Sequence, residues 1–92
     1  MNKKFYVLTA ELPACYGLEV GTPLLKVAST YIAPGGYEME TYQRLDHPHK
    51  GETVDVRVDH RVCFTEFDVD GKTEREIAQK MAGICAAYRS MR

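Results

Sequence analysis

The chain has 92 residues, 45% hydrophobic and 27% charged, with 12 Lys and Arg against 13 Asp and Glu for a formal net charge of -1 at pH 7. That length suits one hydrophobic core, hence a single domain over residues 1–92, and the composition is that of a folded globular chain. The balanced charge excludes a strong field for free DNA or an anionic membrane, and equally a carboxylate-rich mimic of the DNA backbone.

Residues 5–10 are aromatic and branched on both alternating faces (Phe5 and Val7, Tyr6 and Leu8), the pattern of an interior strand. Residues 11–23 contain Pro13, Gly17, Gly21 and Pro23, which interrupt hydrogen-bonded ladders and predict a long loop. A second strand is predicted over residues 24–33, and Pro34-Gly35-Gly36 supplies the reversal of a hairpin. Its return arm, residues 37–45, places Tyr37, Met39 and Leu45 on one face and Glu38, Glu40 and Arg44 on the other, which reads as the wet one. The polar run Asp46-His47-Pro48-His49-Lys50-Gly51 is the next connection.

Residues 53–64 form the most regular alternation: Val54, Val56, Val58, Val62 and Phe64 in one phase, Asp55, Arg57, Asp59 and Arg61 in the other. The apolar phase then moves to Thr65, Phe67 and Val69, so a bulge or bend is predicted near Phe64. Asp70-Gly71 makes a turn, and the Thr-x-x-Glu spacing of Thr73 and Glu76 caps a helix that starts at Glu74. Ile77, Met81, Ile84, Tyr88 and Met91 repeat at helical spacing with Cys85 beside them, so this stripe packs on the sheet, while Arg89 and Arg92 suit the negative end. The predicted fold is α+β: a small, mostly antiparallel four-stranded sheet with one C-terminal helix packed on one face.

Chemical motifs are fragmentary. Asp68-Val69-Asp70-Gly71 resembles the nucleophile motif of haloacid-dehalogenase phosphatases, but only 19 residues follow Thr73, too few for that doubly wound domain. As a calcium loop the same segment would end on Ile77, where a bidentate Glu belongs. His47, His49, His60 and Cys63 are the best metal-ligand set, yet strand geometry sends residues 60 and 63 to opposite faces and neither pair has zinc-finger spacing, so no metal or other cofactor is predicted. Cys15, Cys63 and Cys85 are odd in number and lack a Cys-x-x-Cys pair, which fits a reducing cytoplasm; none has an identifiable activating base.

Recognition is therefore predicted in connections and exposed residues: Tyr16 and Tyr42 as aromatic anchors, and Arg44, His47, His49 and Lys50 as a basic turn. The opening Met1-Asn2-Lys3-Lys4-Phe5-Tyr6-Val7, the length and the sheet-plus-helix organisation resemble short phage-encoded anti-CRISPR proteins that inhibit type I-F surveillance complexes. The resemblance implies a non-enzymatic inhibitor in the cytoplasm of an infected bacterium. It would dock on protein subunits of the Cas–guide RNA complex, with local guide-RNA contact a further option, and obstruct target DNA. It assigns no residue. The alternatives are a small enzyme or metal-binding accessory domain using the Cys/His cluster, and an oligomeric structural protein using the helix face of Gly83, Ala86, Ala87 and Ser90 or an open sheet edge.

Overall fold

Runs of branched and aromatic residues produce five strands rather than four; glycine and proline separate the first four, and a 3-10 helix without either separates the last two. A computed structural model of the chain describes residues 2–13 and 16–91. In order these are β1 (Asn2–Leu8), β2 (Pro23–Ile32), β3 (Glu38–Arg44), β4 (Thr53–Arg57), a 3-10 helix (Val58–Cys63), β5 (Phe64–Asp70) and α1 (Glu74–Ser90). The strands form one sheet in the order β4-β3-β2-β1-β5, every hydrogen-bonded pair antiparallel.

The predicted strand over residues 53–64 ends at Arg57, and residues 64–70 beyond it form a separate fifth strand; the alternation of residues 53–64 is too regular for the break to be visible locally. β4 ends on one edge of the sheet and β5 begins on the other, so the chain must cross between them, and it does so through the 3-10 helix. Val62, in phase with the buried valines of the sequence pattern, is consequently 86% exposed.

The sheet is strongly curled. Two strands lie between β3 and β5, which in a flat sheet would separate them by about 14 Å. Yet the rings of Tyr42 on β3 and Phe64 on β5 stack with centroids 5.0 Å apart, and Tyr6 of β1 meets Tyr42 edge-on at 5.7 Å. Two register irregularities in β2, between Lys26 and Ala28 and between Ala28 and Tyr31, supply the local bending that bulges produce.

Curling gives the sheet two different dry surfaces. The inner one gathers Leu8, Leu24, Tyr42, Val56 and Phe64, closed over by Leu12, Tyr16 and Leu18 of loop 9–22. On the outer surface, Ile77 and Cys85 of α1 pack with Phe5, Val7 and Val69, joined at the margin by Met81, Ile84 and Tyr88. The helix stripe predicted from spacing is present except at its end, because Met91 is the C-terminal cap and is exposed. Thr73 caps the other end, its Oγ1 accepting from the Glu76 amide at 3.1 Å, while Glu76 accepts from the Lys72 amide. No helix among the described residues is long and apolar enough to cross a membrane.

The face assignment of β3 is the reverse of the sequence reading. Glu40 and Tyr42 are both 1% exposed and point inward, whereas Tyr37, just before the strand, is 51% exposed with the Arg57 guanidinium 4.3 Å above its ring. Glu40 is tolerated inside because two cations from other elements reach it: Lys26 of β2 pairs with Oε2, and Arg61 of the 3-10 helix donates to Oε1 at 2.9 Å. Burial pushes the Glu40 carboxyl upward, but hydrogen bonds and charge from Lys26 and Arg61 outweigh it and hold the group below its ordinary range.

Loop 9–22 is fastened at its far end by backbone bonds from the Gly21 amide to the Leu8 carbonyl (2.8 Å) and from the Leu8 amide to the Thr22 carbonyl (3.1 Å). Gly21 has φ +92, and a Cβ there would lie 2.9 Å from the Cys85 carbonyl and overlap Cγ of Arg89. Gly21→Ala is expected to lower stability by about 1–3 kcal/mol through combined strain and overpacking, measured by urea denaturation. Gly17→Ala, where φ is +66 but no atom lies within 4 Å, isolates the backbone part and should cost less. Equal losses in the two variants would show that the contact with α1 carries no weight.

Candidate functional site

Because α1 covers only the β1–β5 half of the outer surface, a cleft of about 590 Å³ remains between the helix and the turn that joins β3 to β4. Its floor is aliphatic and sulfur-bearing: Leu45 from the turn, and Ala78, Met81 and Ala82 from α1, with the buried Cys85 thiol beneath. Burial pushes the Cys85 thiol upward, and the nearby Arg89 charge only partly opposes this, so it is not a ready nucleophile.

The rim is cationic. Lys3 of β1, Lys50 of the turn, and Arg75 and Arg89 of α1 all line the cleft, and none has an ion pair among the described residues. Two acids also line it. Asp46 is engaged by Arg44, whose Nε and Nη2 donate to its two carboxylate oxygens at 3.0 and 2.7 Å. Burial pushes the Asp46 carboxyl up, yet the Arg44 hydrogen bonds and charge prevail and hold it below the usual carboxylate range. Glu74 lies in the first turn of α1, where a negative charge complements the helix dipole.

The six predicted recognition residues are separated by the fold. His47 is exposed and Lys50 stands with it on the cleft, as expected of a basic turn. Arg44 instead shapes that turn: only 15% of its side chain is exposed and its guanidinium is committed to Asp46. His49 is paired within the turn, Nδ1 to Glu52 Oε2 at 3.0 Å. Tyr42, predicted to be exposed, is a core residue and offers no surface, since the curl places it between Tyr6 and Phe64. Tyr16 is half-buried on the other side of the sheet, where its hydroxyl accepts from the Arg57 amide at 3.3 Å and bonds His60 Nδ1 at 2.9 Å, fastening loop 9–22 to the 3-10 helix.

The Cys/His set is likewise dispersed. His60 is occupied by Tyr16 and His49 by Glu52, and Cys63 Sγ is 3.6 Å from the Glu11 carbonyl oxygen, so the set is not assembled. No group of three or more His, Cys, Asp or Glu side chains suited to a metal occurs among the described residues. Cys15 lies outside the described residues. Lys3, Arg75, Arg89 and the aliphatic floor did not emerge from the sequence as site residues. A signal for the helix part exists: Arg75, Ala78, Ala82, Cys85 and Arg89 follow a 3-4-3-4 spacing, a second stripe beside the core one.

No family model matches this chain, and neither the curated proteins nor the solved structures contain a significant match.

Proposed function

We propose that the protein is a non-enzymatic, stoichiometric binding protein whose recognition surface is the cleft between α1 and the β3–β4 turn. The observation that supports this reading is the convergence on one cleft with an aliphatic floor of four cations, none of which has an ion pair among the described residues. Such a surface attracts and orients an anionic partner, and burial pushes up the one thiol beneath it, that of Cys85. The most specific form of the proposal, suggested by the likeness to type I-F anti-CRISPR proteins, is a phage inhibitor that docks on the Cas–guide RNA complex and blocks target DNA binding.

The test is binding of purified protein to an assembled type I-F complex and to naked DNA, comparing wild type with Lys50→Glu plus Arg75→Glu. Both positions are exposed, so the variant should fold normally, which a thermal melt checks. The expected result is stoichiometric capture of the complex, weak binding to DNA, and a loss of about tenfold or more in the variant. If wild type ignores the complex, the CRISPR reading fails; if the variant binds undiminished, the cleft is not the surface.

A further inference from the structure

We infer that the cleft is a docking groove for an acidic peptide segment of a partner protein, lying extended along α1 with aliphatic side chains on the floor and carboxylates at the rim. This rests on the reading of the protein as a stoichiometric binder and adds the chemistry of what enters the cleft.

Charge decides the sign of the occupant. Four cations face the cleft from β1, the turn and α1, whereas Asp46 is neutralised by Arg44 and Glu74 sits at the positive end of the helix. An occupant with carboxylates is therefore complementary and a basic one is repelled.

Length decides its form. Arg75 and Arg89 lie fourteen residues apart on one helix, which sets them about 21 Å apart along the axis. A single phosphate or small carboxylate reaches only one of them. An extended segment of about six residues spans both.

The floor decides between the two polyanions that could lie there. Single-stranded nucleic acid gains much of its affinity by stacking bases on aromatic side chains. No Tyr, Phe or Trp lines this cleft among the described residues; its one aromatic ring there is the exposed His47 of the turn, and the floor is Leu45, Ala78, Met81 and Ala82. Those groups match Leu, Ile or Val side chains, the flexible Met81 thioether adapts to their shape, and the two alanines let a backbone approach the helix closely.

The experiment measures fluorescence anisotropy with labelled peptides of about eight residues. One series alternates Asp or Glu with Leu or Val, a second replaces the acids by Lys, and a mixed-sequence single-stranded RNA is the third probe. Wild type is compared with Lys50→Glu plus Arg75→Glu and with Ala82→Trp, which fills the groove without changing its charge. The acidic series is expected to bind saturably, to weaken at high salt, to lose about tenfold or more in both variants, and to shift the Met81 methyl resonance. Absence of binding by the acidic series, binding unmoved by either variant, or tighter RNA binding through the same residues each overturns the inference. Capture of the Cas complex without acidic-peptide binding sinks this inference alone. Peptide binding without capture of the complex sinks the CRISPR reading and leaves the groove.

Discussion

Tyr42→Ala is expected to destabilise the protein by about 3–5 kcal/mol, the range for truncating a large buried aromatic. The ring is 1% exposed, stacked on Phe64 at 5.0 Å and edge-on to Tyr6 at 5.7 Å, and it lies where the curled sheet closes on itself. Removing it leaves a cavity bordered by three strands that cannot collapse without flattening the curl. Against a domain stability of about 5–15 kcal/mol, such a loss is about a fifth or more. Tyr42→Phe keeps the ring and removes only a hydroxyl 3.5 Å from Glu40, so it should cost no more than about 1 kcal/mol. Burial and the Glu40 charge push the Tyr42 phenol up to about 12, so its ultraviolet titration should be delayed relative to free tyrosine. Chemical denaturation of both variants is the measurement. A loss below about 1 kcal/mol for Tyr42→Ala would return the residue to the surface and contradict the curl.

The second large effect concerns the charge inside the sheet. Lys26→Met with Arg61→Met keeps most of both side-chain stems and removes both cations that face Glu40. A buried carboxylate without a partner is strongly destabilising, and its escape is to take up a proton. From an ordinary value of 4.5 that uptake costs about 3.4 kcal/mol at pH 7 and about 0.7 kcal/mol at pH 5. The double variant should therefore lose about 3 kcal/mol at neutral pH and recover most of it on acidification to pH 5. Wild type behaves in the opposite sense. Its Glu40 value is lowered on folding, so the stabilisation is present above 4.5 and is lost as pH falls through the lowered value. Urea denaturation of both proteins at the two pH values tests this, and a pH-independent difference between them would show that Glu40 is not held as a buried anion.

These two residues also mark the limit of the sequence pattern. Residues 37–45 alternate, and Glu38, Glu40 and Arg44 outnumber the apolar residues of their phase, so the pattern assigns that phase to water. Beyond the exposed Glu38 this phase faces inward because Lys26 and Arg61 neutralise Glu40 and Asp46 neutralises Arg44, and two of those three partners lie on other elements. Periodicity records polarity, not whether a polar group finds its partner. The same reasoning covers residues 58–63, whose alternation is compatible with a strand. Only the need to cross from one sheet edge to the other turns them into a 3-10 helix.

Features whose cause is local were legible in the sequence. The reversal at Pro34-Gly35-Gly36 is closed by the Ala33 amide on the Tyr37 carbonyl at 2.8 Å. The helix starts at Glu74 behind its Thr73 cap, and the packed stripe of Ile77, Met81, Ile84 and Tyr88 lies on the outer sheet surface. The basic turn with His47 and Lys50 was also legible, because no apolar periodicity runs through it. That Tyr42 is core, and that Lys3, Lys50, Arg75 and Arg89 share one cleft, follows only from the packing of distant segments. Sequence distance is what hides them. Each of these outcomes depends on how far the sheet curls and how much of it the helix covers, and both are set by packing between segments that no local pattern connects.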